Sequence, residues 1–137
     1  MSISHRTALD IIRSHYEASA RGDLDGMLAD MHPQVRWTEA AGFPYAGTYI
    51  GRDAIARGVF ARIAQDWDGF GFHLEQLVGS DGTVVATGSY RGTCRSTGRA
   101  LDVRTAHVWQ LAEGRVTAFE QFTDTLLIDR AWDPQSA

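Results

Sequence analysis

The chain has 137 residues, 44% of them hydrophobic and 22% charged, and a formal net charge of −4. That length supports one domain with a real core, and the acidic balance argues against nucleic acid or an anionic membrane surface as the main partner. With one cysteine (Cys94), no run near the ~20 apolar residues of a membrane span and no signal-peptide pattern at the N-terminus, a cytoplasmic domain is expected.

The spacing predicts a first helix over residues 4–21, with Ser4 or Thr7 as N-cap and Thr7 and Asp10 at capping-box separation. Leu9, Ile12, Tyr16 and Ser19 form one stripe, flanked by Ala8, Ile11, His15 and Ala18, and Gly22 ends the run. Asp23 caps a short second helix, Leu24 to Met31, with Leu24, Met27, Leu28 and Met31 turned inward and His32-Pro33 as its stop. Residues 35–40 alternate as a strand, placing Val35, Trp37 and Glu39 on one face. A carboxylate sharing a face with valine and tryptophan is unusual, because a buried charge needs a partner or a purpose.

Residues 41–51 read as an aromatic loop, with Phe43, Tyr45 and Tyr49 placed to line or lid a cavity. Arg52 to Trp67 reads as a third helix, with Ile55, Val59 and Ile63 in one row and Ala56, Phe60 and Trp67 beside it. Gly58 either weakens that helix by about 1 kcal/mol or permits close packing. Asp68-Gly-Phe-Gly breaks it, and strands over 72–79, 83–93, 99–111 and 115–124 come next. The last two are joined by Glu113-Gly114, which suits a tight hairpin needing positive φ. His107 shares a face with Val103, Thr105 and Trp109, and Gln121 with Phe119 and Thr123, while Val108, Ala118 and Phe122 point outward. Asp124 reads as a strand-end cap, and residues 131–137 as a frayed tail.

Helices first and antiparallel strands afterwards is an α+β pattern. It implies one domain over residues 1–137, with three N-terminal helices packed on a curved, mostly antiparallel sheet that encloses an apolar cavity. A glutamate held there has its charged form disfavoured and its pKa raised, which suits a general base for a weakly acidic C–H. The five histidines are scattered and no Cys/His pair has ligand spacing, so no metal site is expected.

This element order, with YEASARGDLD (Tyr16 to Asp25), YAGTYIGRDAI (Tyr45 to Ile55) and the run from Thr97 to Asp124, resembles the NTF2-like superfamily, in its SnoaL-like and ketosteroid-isomerase-like branch. The resemblance implies a cone-shaped fold and a cofactor-independent enzyme that moves a proton next to a carbonyl of a small apolar compound. Isomerisation, cyclisation and dehydration are the reactions in question. A non-catalytic ligand-binding or interaction domain using the same cavity is the alternative, and a homodimer through the outer sheet face is implied in either case. The steroid isomerases carry their catalytic aspartate at the end of the first strand, where Glu39 stands here. Their oxyanion-stabilising aspartic acid matches His107, and their oxyanion tyrosine matches His15, with Tyr16 one residue later. Each position is filled by a different residue type. Trp37, Phe43, Tyr45, Phe60, Trp109, Phe119, Gln121 and Thr123 are the candidate substrate contacts around them.

Overall fold

A computed structural model of the protein describes residues 6–80 and 82–136. Helix α1 (Ala8–Ala20) begins where the expected capping box closes. The Thr7 hydroxyl accepts from the Asp10 N–H at 3.1 Å, and the Asp10 carboxylate accepts from the Thr7 N–H at 3.0 Å. The alternative cap, Ser4, and the first two residues of the expected helix lie outside the described residues. Helix α2 (Leu24–Leu28) is shorter than expected and buries none of its residues, so Leu24 stands exposed. Met31 is buried, but from the strand β1 (Met31–Glu39). Pairing of Met31 with Val116 takes its backbone into the sheet before a longer helix can form. Pro33 falls inside β1 at an irregularity of that pairing, where its missing N–H costs no regular ladder bond.

Part of the segment read as a loop is an edge strand, β2 (Gly47–Ile50), antiparallel to the end of β1 with Glu39 opposite Gly47. The third helical segment is α3 (Arg52–Ile55), a π-helical turn (Ala56–Phe60) and α4 (Ala61–Asp66). Gly58 answers to close packing: a Cβ there would lie 2.3 Å from the Tyr49 ring. Strand β3 (Trp67–Gly79) begins five residues earlier than the glycines suggested. Gly69, at φ 62°, takes up a bulge against β4 (Thr83–Cys94), so it bends a strand instead of separating two elements. Strands β5 (Ala100–Ala112) and β6 (Arg115–Thr123) form the expected hairpin, with Glu113 at φ 53° and Gly114 at φ 76°.

The curved sheet runs β2-β1-β6-β5-β4-β3, antiparallel throughout except between β1 and β6. Helix α1 crosses it over β3 and β4. A further helix, α5 (Thr125–Trp132), replaces the start of the expected frayed tail. Asp124 is its N-cap, accepting from the Leu127 N–H at 3.1 Å. Ile128 and Ala131 are buried, and Trp132 stacks on Trp67 with ring centroids 5.9 Å apart. Arg99 ties down the C-terminal end of the helix and the residues beyond it, donating to the carbonyls of Arg130 at 2.8 Å and Ser136 at 2.9 Å. No helix among the described residues is long and apolar enough to cross a membrane.

Candidate active site

Between the helices and the concave face of the sheet lies a cavity of about 540 Å³, within the usual range of small-molecule sites. The helices contribute His15, Met27, Val59, Phe60 and Ile63 to its wall, and the sheet contributes Trp37, Glu39, Phe72, Tyr90, His107 and Phe119. The π-helical turn forms part of this wall, and the i, i+3, i+4 spacing of Ala56, Val59 and Phe60 puts all three on its cavity side. Trp37 stacks flat on Phe119, 3.7 Å between centroids, because β1 and β6 set the two residues side by side.

Glu39 is only 3% exposed, as its parity with Val35 and Trp37 requires. Burial pushes its carboxyl up to about 8, and the indole N–H of Trp37 opposes part of that rise. Neither group closes a hydrogen bond: Glu39 Oε2 and Trp37 Nε1 are both buried without a partner. Unpartnered buried polar atoms on a cavity wall are atoms that a ligand can satisfy.

His107 sits at the centre of a buried polar network. Its Nδ1 lies 2.6 Å from Tyr16 Oη and its Nε2 lies 2.6 Å from Tyr90 Oη. Trp109 Nε1 donates to Tyr16 Oη at 2.9 Å, and Gln121 Nε2 donates to Tyr90 Oη at 2.9 Å. The Ala40 N–H donates to Gln121 Oε1 at 3.0 Å, which fixes the orientation of that amide. Burial, together with the nearby His15, holds His107 well below the ordinary histidine range, so it is neutral near pH 7. Burial also lowers His15, to about 4, although its Nδ1 bonds the Met27 carbonyl at 3.0 Å. Tyr90 is raised well above the ordinary tyrosine range, first by burial and then by the Glu39 charge.

The structure therefore brings together Glu39, His107, His15, Trp37, Phe60 and Phe119 around one cavity, and leaves the other candidates out of its lining. Phe43 and Tyr45 do not lid the cavity. They pack with Trp67, Tyr90 and Ile128 in a second core, where α5 supplies the apolar surface. Trp109 and Tyr16 lie behind the wall and Gln121 behind Tyr90, while Thr123 bonds Thr105 across the hairpin at 2.9 Å. Tyr16 has its hydroxyl taken up by Trp109 and His107, so it is not free to reach a ligand. His107 faces the cavity with its ring, but both its nitrogens are already bonded to tyrosines. Tyr90 is a cavity residue that the sequence reading misses. Its signal is present in the alternation of β4, which puts it on the face of Val84 and Ala86.

The sequence model of the SnoaL-like domain matches residues 12–119, most of the chain and the whole stretch that builds this cavity. The protein belongs to the SnoaL-like family. An NTF2-like protein from Burkholderia thailandensis is 48% identical, with a TM-score of 0.93 over 95% of this chain and 100% of that one. An uncharacterized protein of Mycobacterium tuberculosis is 30% identical over 115 residues, 83% of this chain and 86% of its own. Patulin biosynthesis cluster protein F of Penicillium expansum is 35% identical over 60 residues, 42% of this chain and 30% of its own. The SnoaL-like cone thus accounts for the six-stranded curved sheet and for the cavity beneath the helices.

Proposed function

We propose that this SnoaL-like protein is a cofactor-independent enzyme in which Glu39 moves a proton at a carbon next to a carbonyl of a small apolar substrate. The observation that carries this reading is the buried, unpartnered carboxyl oxygen of Glu39 on the wall of a largely apolar cavity. In the step, the α C–H bond breaks, its proton passes to Glu39, and the bonding electrons shift toward the carbonyl oxygen to give an enolate. Return of the proton to another carbon completes an isomerisation, and departure of a β-hydroxyl that takes up that proton and leaves as water completes a dehydration. A carboxyl poised near 8 is a stronger base than an exposed glutamate and still gives up its proton near neutral pH. Partial likeness to a protein named for a biosynthesis cluster agrees with chemistry on a small molecule. We also propose that two copies pair through the outer sheet face, where Val108, Ala118 and the half-exposed Phe122 lie.

The test is hydrogen–deuterium exchange at the α carbons of 2-tetralone, a bicyclic enolisable ketone, followed by NMR in deuterated buffer. Exchange above the buffer rate is expected, rising with pH toward 8 as Glu39 ionises, and lost in Glu39→Gln. Undiminished exchange in that variant would refute Glu39 as the base. Binding of the ketone with no exchange at any pH would favour a non-catalytic binding domain.

A further inference from the structure

Counting protons through the His107 network assigns a role to Tyr90. A tyrosine hydroxyl has one proton to donate and can accept up to two, and a neutral imidazole has one donor nitrogen and one acceptor nitrogen. Trp109 can only donate, so Tyr16 Oη accepts from it. Gln121 is fixed by the Ala40 N–H, so Tyr90 Oη accepts from its amide. Two arrangements remain for His107. If Nδ1 carries the proton, it donates to Tyr16, whose own O–H is then left without an acceptor on a buried residue that does not line the cavity. If Nε2 carries it, Tyr16 donates to Nδ1 and Nε2–H donates to Tyr90. Tyr90 Oη is then doubly accepting, and its own proton is left to point at the cavity that this residue lines. A buried donor left without an acceptor keeps its full desolvation cost, so the second arrangement wins.

Resting on the reading of Glu39 as a base, we propose that Tyr90 is the catalytic hydrogen-bond donor that grips the substrate's carbonyl oxygen. His107 is then a positioning residue that turns the Tyr90 proton outward. Tyr90 and Glu39 do not bond each other and both line the cavity, so a ligand there can meet a donor and a carboxyl at once: the carbonyl oxygen goes to Tyr90 and the α C–H to Glu39. The cavity walls include flat aromatic faces, Trp37 on Phe119 and Phe72 against His107. The substrate class is therefore a planar or fused-ring ketone with a proton on the carbon next to the carbonyl. As charge gathers on the oxygen, the donated bond strengthens, which is how a fixed donor lowers the barrier to enolate formation.

Two measurements test the assignment. Histidine 15N NMR on the free protein near neutral pH is expected to show His107 protonated at Nε2 and bare at Nδ1. A proton on Nδ1 overturns the proposal. Isotope-edited infrared spectroscopy of 2-tetralone labelled with 13C at the carbonyl reads the donor directly. In the wild type the bound C=O band is expected at lower frequency than in hydrocarbon solvent. In Tyr90→Phe it should return toward the solvent value, with affinity lower by roughly threefold to tenfold. An unchanged band and affinity in Tyr90→Phe overturn the proposal, even where exchange still depends on Glu39. A band that depends on Tyr90 in a protein that exchanges nothing upholds the donor and removes the base. The tautomer is read on the unaltered chain, so it decides the matter even for a variant that folds poorly.

Discussion

Replacing Glu39 by glutamine keeps the shape of the side chain and removes a charge that its surroundings disfavour. Burial holds the wild-type carboxyl at about 8, against an ordinary value of 4.5. The folded state therefore holds this proton more tightly than the unfolded chain does. The resulting penalty is absent below the unfolded value near 4.5, grows as pH rises from there to about 8, and is constant above. Each tenfold difference in proton affinity is worth about 1.4 kcal/mol. The wild type should thus lose on the order of 4–5 kcal/mol across that window, and the variant should lose none of it. Urea unfolding of both proteins from pH 5 to 9, followed by circular dichroism, reads the quantity. The difference between the two curves cancels the other titrating groups. Glu39→Gln is expected to be the more stable protein at pH 9, by several kcal/mol, with the gap closing toward pH 5. A gap that does not vary with pH, or a variant less stable than wild type at pH 9, would refute the burial of an ionisable Glu39.

The histidines act in the opposite direction: His15 and His107 are held neutral, so the stability they allow is complete above 6.5 and is lost as pH falls below it, for His15 down to about 4. In Glu39→Gln, where the opposing carboxyl is gone, a urea midpoint that stayed level over that acid range would contradict their burial. Gly58→Ala would stabilise an exposed helix by about 1 kcal/mol. Here its Cβ meets the Tyr49 ring at 2.3 Å, so a loss of roughly 1–3 kcal/mol is expected in the same unfolding assay, and a gain would refute the close approach. Phe122→Asp puts a charge on the outer sheet face, and sedimentation is expected to show a dimer in the wild type and a monomer in the variant. A wild type that sediments as a monomer would exclude the proposed pairing.

Much of the fold and one part of the site could be read from residue order, because both rest on local periodicity. Alternation in β1 is enough to put Glu39 beside Trp37, and alternation in the last hairpin is enough to put His107, Phe119 and Gln121 on one face and Phe122 on the other. The Thr7–Asp10 capping box and the Glu113-Gly114 turn are likewise local chemistry. Elements whose reason for existing lies elsewhere in the chain were not legible. Helix α5 is too short to show much periodicity, and it forms because Trp67 and the second core offer its apolar face a surface. Strand β2 is four residues long and is defined by its pairing with β1. The roles of His107 and Tyr90 depend on which atoms meet across three strands and a helix, and no spacing in one dimension records that meeting. Alternation along single strands is enough to turn a carboxylate and a histidine inward. That the histidine is saturated by two tyrosines while the glutamate is left unpartnered emerges from the packed fold, because hydrogen-bond satisfaction is a property of the assembled core.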